Sequence, residues 1–475
     1  MINLNITPIK KHTISPYIYM QFAEPLGIDD AAVDAGWDFN EDNWQPRLID
    51  KINELAPTMI RFGGCFASYY HWKEAVGPRD KRIPVKNHCW GSVPYHNQIG
   101  THEIIDLCRK TNSEPLLVVN MESDGRKHWA YPKNDTIRLG TAAEAAEWIR
   151  YCNDADNPLR LSHGHEEPYN VKYWQIGNET SYVSNGFNVD ECVDVTKRFV
   201  ADMRKADPNV VLLGWGDEHS KTKVGWPKKM SEIDGIDMLA FHHHFCSNLP
   251  NSPLYGNEYR KDYDATWQHL MSAYTCMQPH IDYMRANCGN KRLAITEGHF
   301  TLPGRNRCEV LSSWGAGVAY ARCLNVIHRN TDIIDIATMA DFFGNVWQVN
   351  ALLIPNRQPA YLQPVGSVMS LFRLHQGKYA ADISYTGDID AVASMDDGKL
   401  YIHVANTDRH KSQHLSLDLG GKTATGATMY YIAEASYVEV TPSNPDVFKP
   451  KSMTVDARDI VLPPAAVAAI EVSFE

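Results

Sequence analysis

Short apolar runs alternate with segments of helical periodicity along the first three quarters of the chain. Eight of these runs are mostly apolar from end to end, as strands buried on both faces are. The predicted strands cover residues 18–22, 58–62, 116–120, 171–176, 210–215, 238–242, 292–296 and 334–339. Alternation with helices predicts an α/β fold of the (β/α)8 TIM barrel type. A doubly wound sheet is the alternative, although no Gly-x-Gly-x-x-Gly fingerprint follows the first strand.

Helix signals fall between the predicted strands. Thr141 and Glu144 form a capping box ahead of a helical pattern over 145–152. Further helices are predicted over 101–110, 189–206, 265–286, 309–328 and 364–375.

The pattern changes after residue 376. Short β-rich segments separated by turn residues predict a C-terminal all-β sandwich over 377–475. The first 13 residues are also strand-like. We therefore predict two domains, a catalytic barrel over 14–376 and a β-sandwich made from 1–13 and 377–475.

Charge and cysteine usage narrow the classes of function. The formal net charge is −11, and no basic stripe of the kind that binds nucleic acid is present. No apolar run reaches the roughly 18–20 residues of a membrane span, and the N-terminus lacks a signal-peptide profile. The ten cysteines are dispersed, without a Cys-x-x-Cys pair, which is typical of a reducing compartment. We expect a cytoplasmic protein without nucleic-acid or membrane partners.

A glutamate follows the end of two predicted strands, Glu179 after the fourth and Glu297 after the seventh. Functional side chains of a (β/α)8 barrel collect at the C-terminal ends of its strands. Two carboxylates on one rim can hydrolyse a glycoside, one as a protonated acid and the other as an ionised nucleophile. Asn178 can donate a hydrogen bond to a sugar hydroxyl, and Arg61, which ends the second strand, can orient either carboxylate. Either glutamate alone could be a solvated strand end, but the pair favours a glycoside hydrolase.

The carboxylate pair stands among further motifs. They are 14–27 (ISPYIYMQFAEPLG), 61–66 (RFGGCF), 71–78 (HWKEAVGP), 100–103 (GTHE), 144–153 (EAAEWIRYCN) and 165–179 (HEEPYNVKYWQIGNE). The run WQIGNE resembles the acid/base signature of the clan of retaining glycosidases whose catalytic glutamates end strands four and seven. In their order and spacing, the motifs resemble glycoside hydrolase family 51, the α-L-arabinofuranosidases. The resemblance covers residues 10–300 closely and the rest more loosely.

The resemblance implies a barrel with a C-terminal β-sandwich and a retaining double displacement. It implies that Glu179 is the acid/base and Glu297 the nucleophile, with a covalent glycosyl-enzyme between the two steps. The other residues implied to bind or surround the sugar are Glu24, Cys65, Trp90 and Asn97. It implies no cofactor, a glycoside or oligosaccharide as substrate, and a homo-oligomer.

Several positions depart from the family pattern. Gly298 and His299 follow the nucleophile where an aromatic residue and Asn are common. After strand six the family often shows His followed by a Tyr that contacts the nucleophile, whereas residues 241–245 are FHHHF. The Gln expected after strand eight is not evident, and Asp341 begins the segment that stands there. These changes leave another sugar open, such as a β-xyloside, a galactofuranoside or a β-glucan.

His242 and His244 point to the same face of their strand, and a His-x-His pair can bind a metal. A metal-dependent hydrolase is therefore an alternative, but we expect no metal, because further ligands at other strand ends are not evident. We expect the two histidines, with His299, to bind the sugar or to position Glu297, although they could simply pack.

The sequence thus predicts a retaining exo-glycosidase, first of all an α-L-arabinofuranosidase. The predicted substrate-binding residues are Glu24, Cys65, Trp90, Asn97, Asn178, His242, His244 and His299. The alternatives are the same chemistry on another glycoside, or a sugar-binding protein that has lost catalysis.

Overall fold

A computed structural model describes residues 1–25, 33–86, 94–95, 97–121, 140–182, 187–218, 224–303 and 308–475. Parallel strands pair in chain order around a barrel. The barrel strands are Met20–Ala23, Met59–Phe62, Glu114–Val119, Tyr173–Ile176, Val211–Trp215, Met238–His242, Arg292–Glu297 and Ile334–Ala337. Nearly all of their side chains are buried, because the barrel interior covers one face and helices cover the other. The predicted (β/α)8 barrel is confirmed.

The barrel closes through a second segment of its eighth strand. Its first segment, Ile334–Ala337, pairs with the seventh strand. Its second segment, Asp341–Gly344, pairs in parallel with the first strand. Asp341 lies opposite Phe22 in that register. The first strand begins later than predicted, because Pro16–Tyr19 forms a 3-10 turn capped by Ser15.

Helices follow the strands on the outside of the barrel. They are Pro46–Leu55, Thr101–Lys110, Ala142–Asn153, Pro158–Ser162, Val189–Ala206, Trp226–Ser231, Tyr263–Ser272, Met277–Asn287, Trp314–Arg329 and Pro364–Leu374. The helices predicted over 101–110 and 189–206 have the predicted bounds. The helix predicted over 265–286 is interrupted by a 3-10 turn at Ala273–Cys276.

A nine-stranded, mostly antiparallel sheet forms the rest of the chain. Its strands, in spatial order, are Lys451–Thr454, Ala424–Ile432, Val467–Phe474, Lys399–Asn406, Ile389–Asp396, Tyr379–Ser384, Ile2–Thr7, Gln413–Asp418 and Ile460–Leu462. Buried side chains of its strands form a second hydrophobic core. The predicted C-terminal β domain is confirmed, and the N-terminal strand lies within its sheet.

The helix Trp314–Arg329 joins the two bodies. The indole Nε1 of Trp314 donates to the backbone oxygen of Ala465 at 2.7 Å. Asn325 and Arg329 both donate to the buried carboxylate of Asp390. This helix follows the strand that carries Glu297, so the β domain packs on the outer side of the barrel beside that strand.

Short strands complete the described structure. They are Trp37–Asp38, Asn43–Trp44, Val85–Lys86, Pro94–Tyr95, Asn350–Leu353 and Tyr361–Leu362. Within the described ranges, no helix has the length and apolar character that crossing a bilayer requires.

Candidate active site

Glu179 is presented by a tight turn at the end of the fourth strand. Gly177 has a φ of 71°, and Glu179 itself has a φ of 53°, in the left-handed region. A residue with a side chain occupies that region at a cost, and such conformations cluster at functional sites. The turn brings the carboxylate back over the end of the barrel, where its residue is 5% exposed.

Glu297 ends the seventh strand beside His242, the last residue of the sixth. These two residues are paired across the strands, after an irregularity between Phe241 and His242. Gly298 follows, and a Cβ there would lie 2.9 Å from the backbone oxygen of Thr338. Glycine therefore fits the close passage of the chain that follows Glu297, which accounts for one departure from the family pattern.

A single imidazole lies between the two carboxylates. Nδ1 of His242 is 3.0 Å from Oε1 of Glu179 and 3.5 Å from Oε2 of Glu297. The indole of Trp215 meets the His242 ring edge to face, with centroids 4.5 Å apart. Packing against Trp215 holds the ring in the position that serves both glutamates.

Arg61 gives Glu297 a different electrostatic setting from Glu179. Its guanidinium is fully buried and donates to Oε1 of Glu297 at 2.9 Å and to Oδ1 of Asn178 at 2.6 Å. A third bond, at 3.0 Å, goes to Gln175. Of the two carboxylates that the sequence left open for Arg61, the structure selects Glu297. Glu297 therefore has a fixed positive charge against one of its carboxylate oxygens.

Glu179 contacts a thiol and an imidazole. The thiol of Cys65 lies 3.5 Å from its Oε2 atom, as a donor, while Oε1 faces His242. Cys65 therefore lies beside Glu179, and Asn178 joins the same cluster through Arg61.

Glu24 lies at the end of the first strand, pressed against Gly64. The φ of Gly64 is +138°, and a Cβ at that position would lie 2.2 Å from the Glu24 carboxyl carbon. The backbone N–H of Phe66 donates to Oε1 of Glu24 at 3.3 Å. Gly64 thus allows the chain to approach the carboxylate closely, and Glu24 is 6% exposed.

Asp341 shares a small cavity with Glu24 and Asn350. Its Oδ1 atom is buried, and none of the described residues donates a hydrogen bond to it. Burial raises the pKa of Asp341 well above its ordinary value, and the negative charges of Glu297 and Glu24 raise it further. In the sequence, Asp341 stands out only as a departure from the family pattern, and no role was predicted for it. Its position just after the predicted eighth strand could have indicated a residue of the rim.

His244 and His299 form the outer side of the cluster. Their ring centroids are 4.4 Å apart, and the His299 ring meets Trp347 at 6.0 Å. Nδ1 of His299 lies 2.8 Å from the backbone oxygen of Phe300, to which it donates. Burial lowers the pKa of His299, which favours the neutral ring.

One predicted site residue in the described ranges, Asn97, makes its side-chain contact away from this cluster. Asn97 is buried, but its side-chain amide donates to the backbone oxygen of Ile83 at 2.8 Å, so its described bond holds its own loop. Trp90 lies outside the described residues.

The cluster also has the composition of a metal site. Glu179, His242, His244 and Glu297 each offer one ligand atom, and these four atoms lie within 4.8 Å of one another. The sequence shows no further ligands beside the His-x-His pair. In the structure both glutamates reach the same point as the two histidines.

Two glutamates at the ends of strands four and seven, held around one imidazole, define the class of protein: the chain is a glycoside hydrolase with a TIM barrel. A family model described as the alpha-L-arabinofuranosidase 1 domain matches residues 51–261. Another, described as the alpha-L-arabinofuranosidase C-terminal domain, matches residues 303–465. The chain belongs to the α-L-arabinofuranosidase family, glycoside hydrolase family 51.

Individual relatives agree with this assignment. An intracellular exo-α-L-arabinofuranosidase of Bacteroides ovatus is 24% identical over 93% of this chain and 88% of its own length. α-L-Arabinofuranosidase C of Emericella nidulans is 31% identical over 50% of this chain, and the match spans only about half (48%) of that protein. The solved α-L-arabinofuranosidase of Thermotoga maritima, in complex with arabinose, has a TM-score of 0.81 at 21% identity, covering 100% of both chains.

Proposed function

We propose that the protein is a retaining exo-α-L-arabinofuranosidase with Glu297 as nucleophile and Glu179 as acid/base. The observation that carries the mechanism is the short distance between the carboxylates, which offer oxygen atoms within 4.8 Å of each other. Retaining enzymes hold their two carboxyl groups about 5–5.5 Å apart, whereas inverting enzymes leave about 6.5–9.5 Å for a water.

The assignment of roles rests on the unlike surroundings of the two glutamates. Arg61 binds one oxygen of Glu297 directly and leaves the other facing His242, a fixed position that suits a nucleophile. Glu179 contacts a thiol and an imidazole, so it can hold a proton in a buried site.

In the first step, Glu297 attacks the anomeric carbon while Glu179 gives its proton to the leaving oxygen, which departs as an alcohol. A covalent glycosyl-enzyme remains on Glu297. In the second step, Glu179 takes a proton from water, the water oxygen attacks the same carbon, and the ester bond to Glu297 breaks. Both residues return to their starting protonation states.

Three residues around the pair are proposed to hold the sugar. Arg61 donates a hydrogen bond to the amide oxygen of Asn178. The amide NH2 of Asn178 is proposed to donate to a sugar hydroxyl. Glu24 and Cys65 border the same space. His242 is proposed to position both glutamates, and His244 and His299 to border the sugar on the outer side.

The family membership and the relatives support an arabinofuranoside as the substrate. The named activity of the Bacteroides relative supports exo action and an intracellular location for this chain. A second candidate is the same chemistry on a β-xyloside, a galactofuranoside or a β-glucan. It is supported by the segments 242–245 and 298–299, whose residues depart from the common family pattern. A homo-oligomer stays a prediction.

A panel of aryl glycosides tests the proposal. The α-L-arabinofuranoside, β-D-xyloside, β-D-galactofuranoside and β-D-glucoside are compared side by side, with Glu297→Ala as the blank. We expect turnover of the arabinofuranoside above the others. Turnover of another sugar alone would overturn the substrate and keep the mechanism, whereas no turnover of any would overturn both.

A further inference from the structure

The atoms proposed to carry catalysis also converge as a set of metal ligands. Two imidazoles and two carboxylates, from the ends of three strands, bring ligand atoms within 4.8 Å of one another. Among the described residues, this is the one group of three or more such side chains that could surround an ion.

The donor types select the class of ion. Imidazole and carboxylate together suit Zn²⁺ and neighbouring divalent transition metals, whereas Mg²⁺ and Ca²⁺ prefer oxygen ligands alone. Ligand atoms at about 2.0–2.2 Å from a tetrahedral Zn²⁺ are about 3.4 Å apart. The four ligand atoms, which already lie within 4.8 Å of one another, must therefore move inward by about 1 Å to surround the ion.

Neighbouring groups already orient the carboxylates for this geometry. Glu297 has one oxygen held by Arg61 and turns the other toward His242. Glu179 has one oxygen held by Cys65 and likewise turns the other toward His242. In metal sites, neighbouring residues commonly hold one oxygen of a carboxylate while the other oxygen binds the ion.

The charge of the cluster also suits a dication. Glu179 and Glu297 together carry two negative charges when ionised, and the buried Arg61 offsets one of them. A divalent ion would meet a site of net negative charge in a poorly solvated position, where electrostatic attraction is strong.

We propose that the protein binds one Zn²⁺-class ion through Glu179, His242, His244 and Glu297, and that this ion reversibly blocks hydrolysis. Binding requires both carboxylates to be ionised and both imidazoles to offer a lone pair, so protons are released to solvent. The ion then occupies the position of the reacting sugar and removes the proton that Glu179 would donate. The proposal rests on the site described under the proposed function, but it concerns an inhibitor and no step of the reaction.

Direct binding tests the proposal without a substrate. Protein treated with EDTA and then desalted is titrated with ZnCl2 by calorimetry, with CoCl2 as a spectroscopic probe and MgCl2 and CaCl2 as controls. We expect one Zn²⁺ per chain and Co²⁺ absorption bands of a four-coordinate N/O site. Absence of binding, or an equal response to Mg²⁺, would overturn the proposal.

Matched variants locate the ion. His244→Ala removes one ligand and is expected to weaken Zn²⁺ binding by at least about tenfold. His410→Ala is the control, because His410 is an exposed histidine of the β domain. Glu179→Gln provides a second ligand change if His244→Ala fails to fold. Zn²⁺ affinity unchanged in these ligand variants would place the ion elsewhere and overturn the assignment.

Inhibition of the enzyme by Zn²⁺ is a further test of the proposal. Zn²⁺ is expected to raise the apparent KM of the best aryl glycoside without changing kcat, and EDTA is expected to reverse the effect. Inhibition that lowers kcat at unchanged KM would contradict a shared site. Because the titration needs no turnover, failure of the proposed activity and failure of the metal site are distinguishable.

Discussion

Nδ1 of His242 lies between Oε1 of Glu179, at 3.0 Å, and Oε2 of Glu297, at 3.5 Å. An imidazole in this position controls the spacing of both carboxylates and can donate its N–H to one of them at a time. The two proposed catalytic groups are therefore coupled through one side chain.

Removal of that side chain tests the coupling. His242→Ala is expected to lower kcat by about 10–100-fold, the effect of losing a hydrogen bond of about 1.5–3 kcal/mol to a charged group. The loss should appear with good and poor leaving groups alike, because both steps use a glutamate that His242 contacts. His242→Asn, which keeps a donor near the Nδ1 position, should recover part of the rate. A normal rate in His242→Ala would exclude the positioning role.

Glu297→Ala should abolish turnover, because no other described carboxylate takes the place of the nucleophile beside Arg61. We expect a loss of at least about 10⁴-fold in kcat, as for removal of a nucleophile elsewhere. Thermal melting and circular dichroism should show that the variant is folded. Wild-type-like turnover would disprove the assignment.

Glu179→Ala should separate substrates by their leaving groups. Aryl glycosides with very good leaving groups need little protonation, so their first step should be largely kept, whereas poor leaving groups should lose about 10²–10⁴-fold. Added azide should speed release of the glycosyl-enzyme, since the missing base is then unnecessary. Equal losses for both substrate types would contradict the acid role.

Asp341 should make the protein less stable as the pH rises. Burial, together with Glu297 and Glu24, raises the pKa of Asp341, so the folded state keeps a proton that the unfolded state loses above its ordinary pKa. Its stabilising contribution is present at acidic pH and declines as the pH rises toward the folded-state pKa. The melting temperature of Asp341→Asn, relative to that of the wild type, should therefore rise as the pH is raised from acidic to neutral. Parallel melting curves across that range would refute a neutral Asp341.

Glu103 should show the opposite dependence on pH. Burial alone would raise the pKa of Glu103, but hydrogen bonds and charges from Arg82 and Arg79 outweigh it and lower the pKa. Its contribution is present above the unfolded-state pKa and is lost as the pH falls through the folded-state value.

Glu103→Gln is therefore expected to cost about 3–5 kcal/mol of unfolding free energy near neutral pH, the cost of breaking a buried pair. The difference from the wild type should shrink in acid. Denaturant unfolding at several pH values measures it, and Glu147→Gln, at an exposed ion pair, serves as the control. A cost that does not change with pH would contradict the ion-pair origin.

The sequence by itself determined the barrel and the rim on which the chemistry lies. Apolar runs buried on both faces have a regular pattern, and strands of one barrel deliver their last residues to one rim. Glu179 and Glu297 could therefore be placed together before any distance was known, and the family motifs supported that placement.

Tertiary structure alone decided how the rim residues meet. Arg61 could serve either glutamate, and only the barrel geometry assigned it to Glu297. Side-chain distances between strands depend on register and on local irregularities such as the one at Phe241 and His242, which leave no periodic signal in the sequence. The position of His242 between the glutamates, the burial of Asp341 and the four-ligand cluster all arise from contacts between strands distant in sequence.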